Sequence, residues 1–200
     1  MKNTILASVL ALTAVSGSAM AAVTTGQLTF NWQGVIPTTP ATSTAWAFVD
    51  SRDIPYIPGT EQLNISRTAT GIKAVSGKAY DFFIVPITGT ATAGTPVTRD
   101  IAKTLNSVNA FLGSNPVSGG LTGNKQLTLS TAPDAADGQI AVNINGTPLK
   151  VGSTAAVAVG KASGKEEHVA IDMNASIATA DVKDGASLTF TAPVVFAVDI

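Results

Sequence analysis

Apolar residues in this chain recur mostly at every second position, and the clearest runs stand near its two ends. In Gln27-Leu28-Thr29-Phe30-Asn31-Trp32-Gln33-Gly34-Val35-Ile36, one phase holds Leu28, Phe30, Trp32, Gly34 and Ile36. The other phase begins Gln27, Thr29, Asn31, Gln33 and is polar. From Leu188 onward, Phe190, Ala192, Val194, Phe196, Val198 and Ile200 fill the even positions. A strand points successive side chains to opposite faces, so each run predicts a long strand with one apolar face. Such a face needs an apolar surface to pack on. Gly34 within the apolar phase marks a place where another backbone or side chain comes close.

Between these ends the same period continues in shorter pieces. Trp46 and Phe48 share a phase within Thr44 to Asp50, after a polar loop at Thr38 to Ser43. Ile54-Pro55-Tyr56-Ile57-Pro58-Gly59 cannot be a central strand, because two prolines remove ladder donors. Glu61 to Ser66 alternates around Leu63 and Ile65. Tyr80 to Ile87 is almost continuously apolar and predicts the most buried central strand. Gln126 to Ser130 alternates around Leu127 and Leu129. Gln139 to Ile144 and Thr147 to Val151 flank Asn145-Gly146, a strong hairpin signal because both turn residues need positive φ. Thr154 to Val159 and Glu166 to Met173 predict a second hairpin across Ala162-Ser163-Gly164. Asp184-Gly185 turns the chain into the last strand.

One segment carries a helical period. Ile101, Leu105, Val108 and Leu112 recur every three or four residues, Asp100 can cap them, and Gly113 can stop them. This predicts one short helix packed across an end of the sheets.

The start of the sequence reads differently. Lys2, the apolar run Ile5 to Val15 and the small-x-small Ala19-Met20-Ala21 form a signal peptide over residues 1–21, with cleavage after Ala21. The apolar run is too short to span a bilayer. The remaining length suits a single domain. Charge is sparse and balanced, with 12 Lys and Arg against 13 Asp and Glu, so there is no basic footprint for nucleic acid. There are no cysteines, which removes disulfides, thiolate metal sites and a Cys nucleophile. With 18 Gly and 10 Pro punctuating short Thr- and Val-rich runs, the composition reads all-β.

Candidate chemistry is scarce. His168 is the only histidine and is out of phase with Val169, Ile171 and Met173, so it points to solvent. Ser163, His168 and Asp172 make a triad only on paper, because no nucleophile-elbow motif accompanies them. Glu166-Glu167-His168 reads as a solvated strand edge, and Asp134, Asp137 and Gly138 as a turn without calcium-loop spacing. Tyr56 is the best candidate for an exposed binding aromatic, and as such supports an alternative in which a secreted monomeric sandwich binds carbohydrate or protein. No catalytic residue, metal or cofactor is expected.

The segments Ala22 to Val35, Tyr80 to Pro86, Gly123 to Ser130 and Ala192 to Ile200 together resemble the major subunits of coli-surface-antigen colonisation-factor fimbriae, which are chaperone–usher pilins. The sequence departs from the broader pilin pattern in lacking a first-strand disulfide and in carrying Asp199 where many pilins have Tyr. The resemblance implies an incomplete immunoglobulin-like β-sandwich over residues 37–200, completed by the N-terminal donor strand, residues 22–36, of a neighbour. It implies donor residues Leu28, Phe30, Trp32, Gly34 and Ile36. It further implies an acceptor groove and chaperone anchor at Leu188, Phe190, Val194, Phe196, Val198 and Ile200. The function implied is that of a structural subunit which polymerises by donor-strand exchange into a fimbria for adhesion to host cells. The partners would be neighbouring subunits, a periplasmic chaperone that grips the terminal carboxylate, an outer-membrane usher and a tip adhesin. The route would run through the periplasm to the cell surface.

Overall fold

The Tyr80–Ile87 run forms the core of a nine-residue strand, Tyr80–Thr88, in which Ile84, Val85 and Pro86 are fully buried. In the computed structural model, which describes residues 45–160 and 164–200, it is the fourth strand, β4. The earlier strands are β1 (Trp46–Val49), β2 (Leu63–Arg67) and β3 (Gly71–Ser76). After β4 come β5 (Thr98–Arg99), β6 (Ser107–Leu112), β7 (Val117–Gly119), β8 (Thr128–Leu129), β9 (Gln139–Ile144) and β10 (Thr147–Pro148). The last four are β11 (Val157–Ala158), β12 (Glu167–Ala178), β13 (Thr189–Thr191) and β14 (Val194–Asp199). Only short 3₁₀ turns interrupt them among the described residues.

The long strand β12 is the spine of the larger sheet. Glu167 to Ile171 pair with β4, Asn174 to Ala178 pair with β3, and Ile171 to Ser176 pair with β9, all antiparallel. Residues 174–176 pair with β3 and β9 at once, so those two strands lie on opposite edges of the spine. Beyond β4 and β3 lie β1 and β2 respectively. The smaller sheet has the order β11–β6–β14, and β13 pairs with β7 beside it. Between the sheets sits the main core of Phe82, Ile84, Leu105, Val108, Ala110, Leu112, Val142, Ile144, Leu149, Val159 and Val169. Each large aliphatic chain buried there contributes ~1.5–3 kcal/mol. A second cluster of Leu121, Leu127, Ile140, Ala175 and Ile177 lies where Leu188 and Phe190 pack. The architecture is an all-β sandwich.

The Asn145-Gly146 hairpin forms as its sequence predicts. Ile144 faces Thr147, and the turn residues have φ of 48° and 76°. Gly185, at φ 78°, turns the chain as expected before β13. Three expectations are corrected.

The helix over Ile101 to Leu112 is absent. Asp100 caps only one turn, accepting the Ala102 N–H at 3.0 Å, and Ile101 is 85% exposed. Lys165 Nζ takes the carbonyls of Ile101 and Lys103 at 2.9 and 2.7 Å. Residues 107–112 are instead β6, with Val108, Ala110 and Leu112 buried at period two and neighbours on both edges. Sheet pairing on two sides outweighs a helix of three turns, which is marginal alone.

The expected hairpin across Ala162-Ser163-Gly164 is a crossover. β11 pairs with β6 in the smaller sheet, whereas β12 belongs to the larger one. Alternation identified both strands but carried no information about their partners.

The strand expected to run unbroken from Leu188 to Ile200 is two strands. Leu112 faces Val194 and Val117 faces Thr191, so four residues, Gly113 to Pro116, intervene on one side against two, Ala192 and Pro193, on the other. The ladder parts at that mismatch.

Candidate functional site

The site is the edge of the sandwich formed by β13 and β14. Along β14, Val194, Phe196 and Val198 are half-buried and alternate with exposed Val195, Ala197 and Asp199. With Ala192 and Ile200, the half-buried phase packs on the main core. Leu188 and Phe190 pack on the second cluster instead. The structure therefore brings Val194, Phe196, Val198 and Ile200 together and places Leu188 and Phe190 beside a different floor. The donor residues Leu28, Phe30, Trp32, Gly34 and Ile36 lie outside the described residues, as does the 1–21 segment read as a signal peptide.

Backbone direction decides what this edge offers. Gly113 N–H donates to Pro193 O at 2.9 Å, which fixes the phase of the ladder between β14 and β6. In an antiparallel pair, alternate residues aim both backbone groups at the partner and those between aim theirs away. The odd residues Val195, Ala197 and Asp199 thus face β6. Val194, Phe196 and Val198 present N–H and C=O to the opposite edge. Pro193 falls in the phase that faces inward, so its missing N–H takes nothing from the outer edge. β13 follows the same rule, because Ser118, opposite Phe190, turns its backbone away from β13 to the Gln126 side chain. Phe190 therefore also presents its backbone outward. Among the described residues β14 pairs with β6 alone.

Aromatic rings floor the β14 half. Phe196 meets Phe48 at 5.2 Å and Phe82 at 5.9 Å between ring centroids, both edge-on. Phe48 in turn meets Trp46 at 5.0 Å and Phe82 at 5.6 Å. Tyr56 stacks on Phe82 at 4.7 Å, so it is a packed loop residue and not a free binding aromatic. Burial, with smaller effects from Tyr80, Glu61 and Asp81, pushes its hydroxyl above the usual pKa of 10.0. The phase shared by Trp46 and Phe48 was readable in the sequence, but the meeting of Phe48 with Phe196 was not, since it joins the two sheets.

Among the described residues, the candidates for catalysis and metal binding turn to separate partners. His168 turns to Asp81, with Nε2 and Oδ1 3.1 Å apart, and lies over Phe83. Asp172 accepts from Asn143 Nδ2 at 2.9 Å. Ser163 lies outside the described residues. Glu166 pairs with Arg99, whose guanidinium also binds Asp53 at 2.7 Å. Burial pushes the Glu167 carboxyl up. Asp137 accepts from Ser176 Oγ at 2.7 Å beside Gly138 in a turn.

Two side chains carry bonds that no motif marked. Gln126 serves as a partner to β7, and Asn145, already placed in a turn by its sequence, also binds Val159 O and His168 O.

No family model matches the chain. A curated protein described as a CS5 fimbrial subunit, from Escherichia coli, is 60% identical over 201 residues. The match covers 100% of this chain and 99% of that protein.

Proposed function

Because the chain belongs to the colonisation-factor fimbrial pilins, we propose that it polymerises by donor-strand exchange into a surface fimbria that serves adhesion to host cells. Residues 22–36 of one copy would add a strand to the β13–β14 edge of the next. The observation that carries this reading is the β14 edge itself. Among the described residues it presents unshared backbone groups in the same phase as half-buried Val194, Phe196 and Val198. Strand addition supplies both main-chain pairing and pockets for alternate side chains. Leu28, Phe30, Trp32 and Ile36 would each contribute ~1.5–3 kcal/mol on burial. Such a head-to-tail contact does not close on itself and gives a fibre.

Before assembly the same edge would be held by a strand from a periplasmic chaperone, with Leu188, Phe190, Val194, Phe196, Val198 and Ile200 as its anchor. The outer-membrane usher would then exchange that strand for the incoming donor, and a tip adhesin would cap the fibre. The signal peptide over 1–21 would direct the chain to this route, and 37–200 would form the sandwich.

Electron microscopy of the protein with and without residues 22–36 tests the reading. The intact chain should form fibres, and the shortened chain should form none while still binding a synthetic 22–36 peptide. Long fibres from the shortened chain would overturn donor exchange by this segment.

A further inference from the structure

We infer that the incoming strand seats in one register, antiparallel to β13–β14, with Gly34 opposite Phe190 and Trp32 opposite Ala192. This rests on the strand-exchange reading above and names the specificity of that same edge. The inward phase of the edge runs Phe190, Ala192, Val194, Phe196, a sequence of large, small, medium and large side chains. The donor's apolar phase runs Leu28, Phe30, Trp32, Gly34, Ile36. Directly opposed side chains on one face of a sheet are within contact distance, and tightly packed interiors set large groups against small ones. With Gly34 opposite Phe190, the largest donor side chain meets the smallest edge residue. The donor's one residue without a side chain meets a phenyl ring. Phe30 then faces Val194, Leu28 faces Phe196 and Ile36 faces Leu188.

The other registers lose this match. Sliding the donor two residues in one direction sets Trp32 against Phe190. Sliding it two in the other sets Phe30 against Phe196 and leaves Gly34 against Ala192, which is overpacking beside a void. A parallel donor with Gly34 opposite Phe196 sets Trp32 against Val194. A slip of one residue turns the apolar face to water. The donor run and the edge Thr189 to Asp199 are also of nearly equal length. On either side of the break at Ala192-Pro193 the backbones of Phe190 and Val194 both point outward, so one strand can pair with both.

The chain has no cysteine, which permits a clean test. With the even residues of the edge hydrogen-bonded to the donor, odd residues form the close non-hydrogen-bonded pairs, about 4.5 Å between Cα atoms. That spacing lies within disulfide range. Val195 is 39% exposed and tolerates exchange. Val195→Cys is combined in turn with Gln27→Cys, Thr29→Cys, Asn31→Cys, Gln33→Cys and Val35→Cys in the full chain, and assembled fibres are oxidised. Only Thr29→Cys with Val195→Cys should give a ladder of covalent multimers on a non-reducing gel that collapses to monomer on reduction. Gln33→Cys with Thr191→Cys should repeat it. A stronger ladder from Gln27, Asn31, Gln33 or Val35 paired with position 195, or none from Thr29, overturns the register. If fibres also form without residues 22–36, the strand-exchange reading fails as well, and the two failures are thus told apart.

Discussion

Gln126 stands beside Ser118 as a neighbouring strand would: its Oε1 accepts the Ser118 N–H at 2.8 Å and its Nε2 donates to Ser118 O at 2.9 Å. Two residues in an antiparallel hydrogen-bonded pair exchange the same two bonds. One side chain therefore closes the edge of β7 that β13 does not cover, where an open edge would invite a further strand. Gln126→Ala leaves both groups of Ser118 without these partners, at ~1–3 kcal/mol each. A net loss of about 2 kcal/mol lowers Tm by roughly 4–8 °C in a chain of this size. Gln126→Glu keeps the acceptor but sets a carboxylate against the Ser118 carbonyl, so it should lose at least as much at neutral pH and less in acid. Thermal unfolding followed by circular dichroism checks both, and an unchanged Tm for Gln126→Ala would remove the role assigned to the amide.

Asn145 ties the β9–β10 turn to the crossover between the sheets. Its Nδ2 donates to Val159 O and His168 O, each at 2.9 Å, and its Oδ1 accepts the Ala170 N–H at 2.8 Å. Asn145→Gly retains the positive φ and loses these bonds, at ~1–3 kcal/mol. Asn145→Ala loses them and adds left-handed strain of ~1–2 kcal/mol. Denaturant midpoints should therefore fall in the order Asn145, Gly, Ala. Equal midpoints for the two variants would show that the turn relaxes to a negative φ.

Tyr56 gives the fold an alkaline limit. Its folded pKa lies above 10.0, chiefly through burial against Phe82. The neutral hydroxyl is the form that packs, so the stability it supports is fully present below the unfolded pKa. That stability is lost as pH rises from there through the folded pKa. Tm should fall from about pH 10 upward, and more steeply for the parent chain than for Tyr56→Phe. Parallel Tm curves for the two would show that Tyr56 is not the group responsible.

Period two identified β1, β2, β4, β9 and β12, because one buried face is what the sandwich demands of them, but β3 (Gly71–Ser76), β5 and β7 carried too few alternating apolar residues to be read. Tyr80–Ile87 and the Asn145-Gly146 turn were legible because their signals are local. Residues 107–112 show where local spacing is ambiguous. Val108 and Leu112 fit both a period of two and one of nearly four, and only Ala110 between them, with β14 and β11 alongside, decides for a strand. The parting of Leu188–Ile200 into β13 and β14 comes from Gly113 to Pro116, the link between β6 and β7, which alternation in the last segment cannot register. The aromatic floor of Phe48, Tyr56, Phe82 and Phe196 likewise joins residues far apart in sequence, and no spacing announces it.

β14 contributes both by packing and by its backbone, and the two are separable by substitution. Phe196 points into the sandwich, edge-on to Phe48 and Phe82 of the opposite sheet, whereas Val195 points out. Truncating a fully buried Phe to Ala costs ~3–5 kcal/mol. Phe196 is half-buried, so roughly half of that is expected, including about 0.5–1.5 kcal/mol for each ring pair it makes. Val198 packs on the same core without ring partners, so Val198→Ala should cost less. Val195→Ser removes an exposed chain and should stay within about ±0.5 kcal/mol. The three variants leave the N–H and C=O groups of β14 in place, so a 22–36 peptide could still pair along its backbone. Tm losses should rank Phe196→Ala above Val198→Ala above Val195→Ser. Peptide release from the shortened chain should accelerate in the same order, because each truncation removes floor and not edge. If Val195→Ser accelerated release as much as Phe196→Ala, the outward phase would be taking part in binding, and the assignment of faces along β14 would have to be reversed.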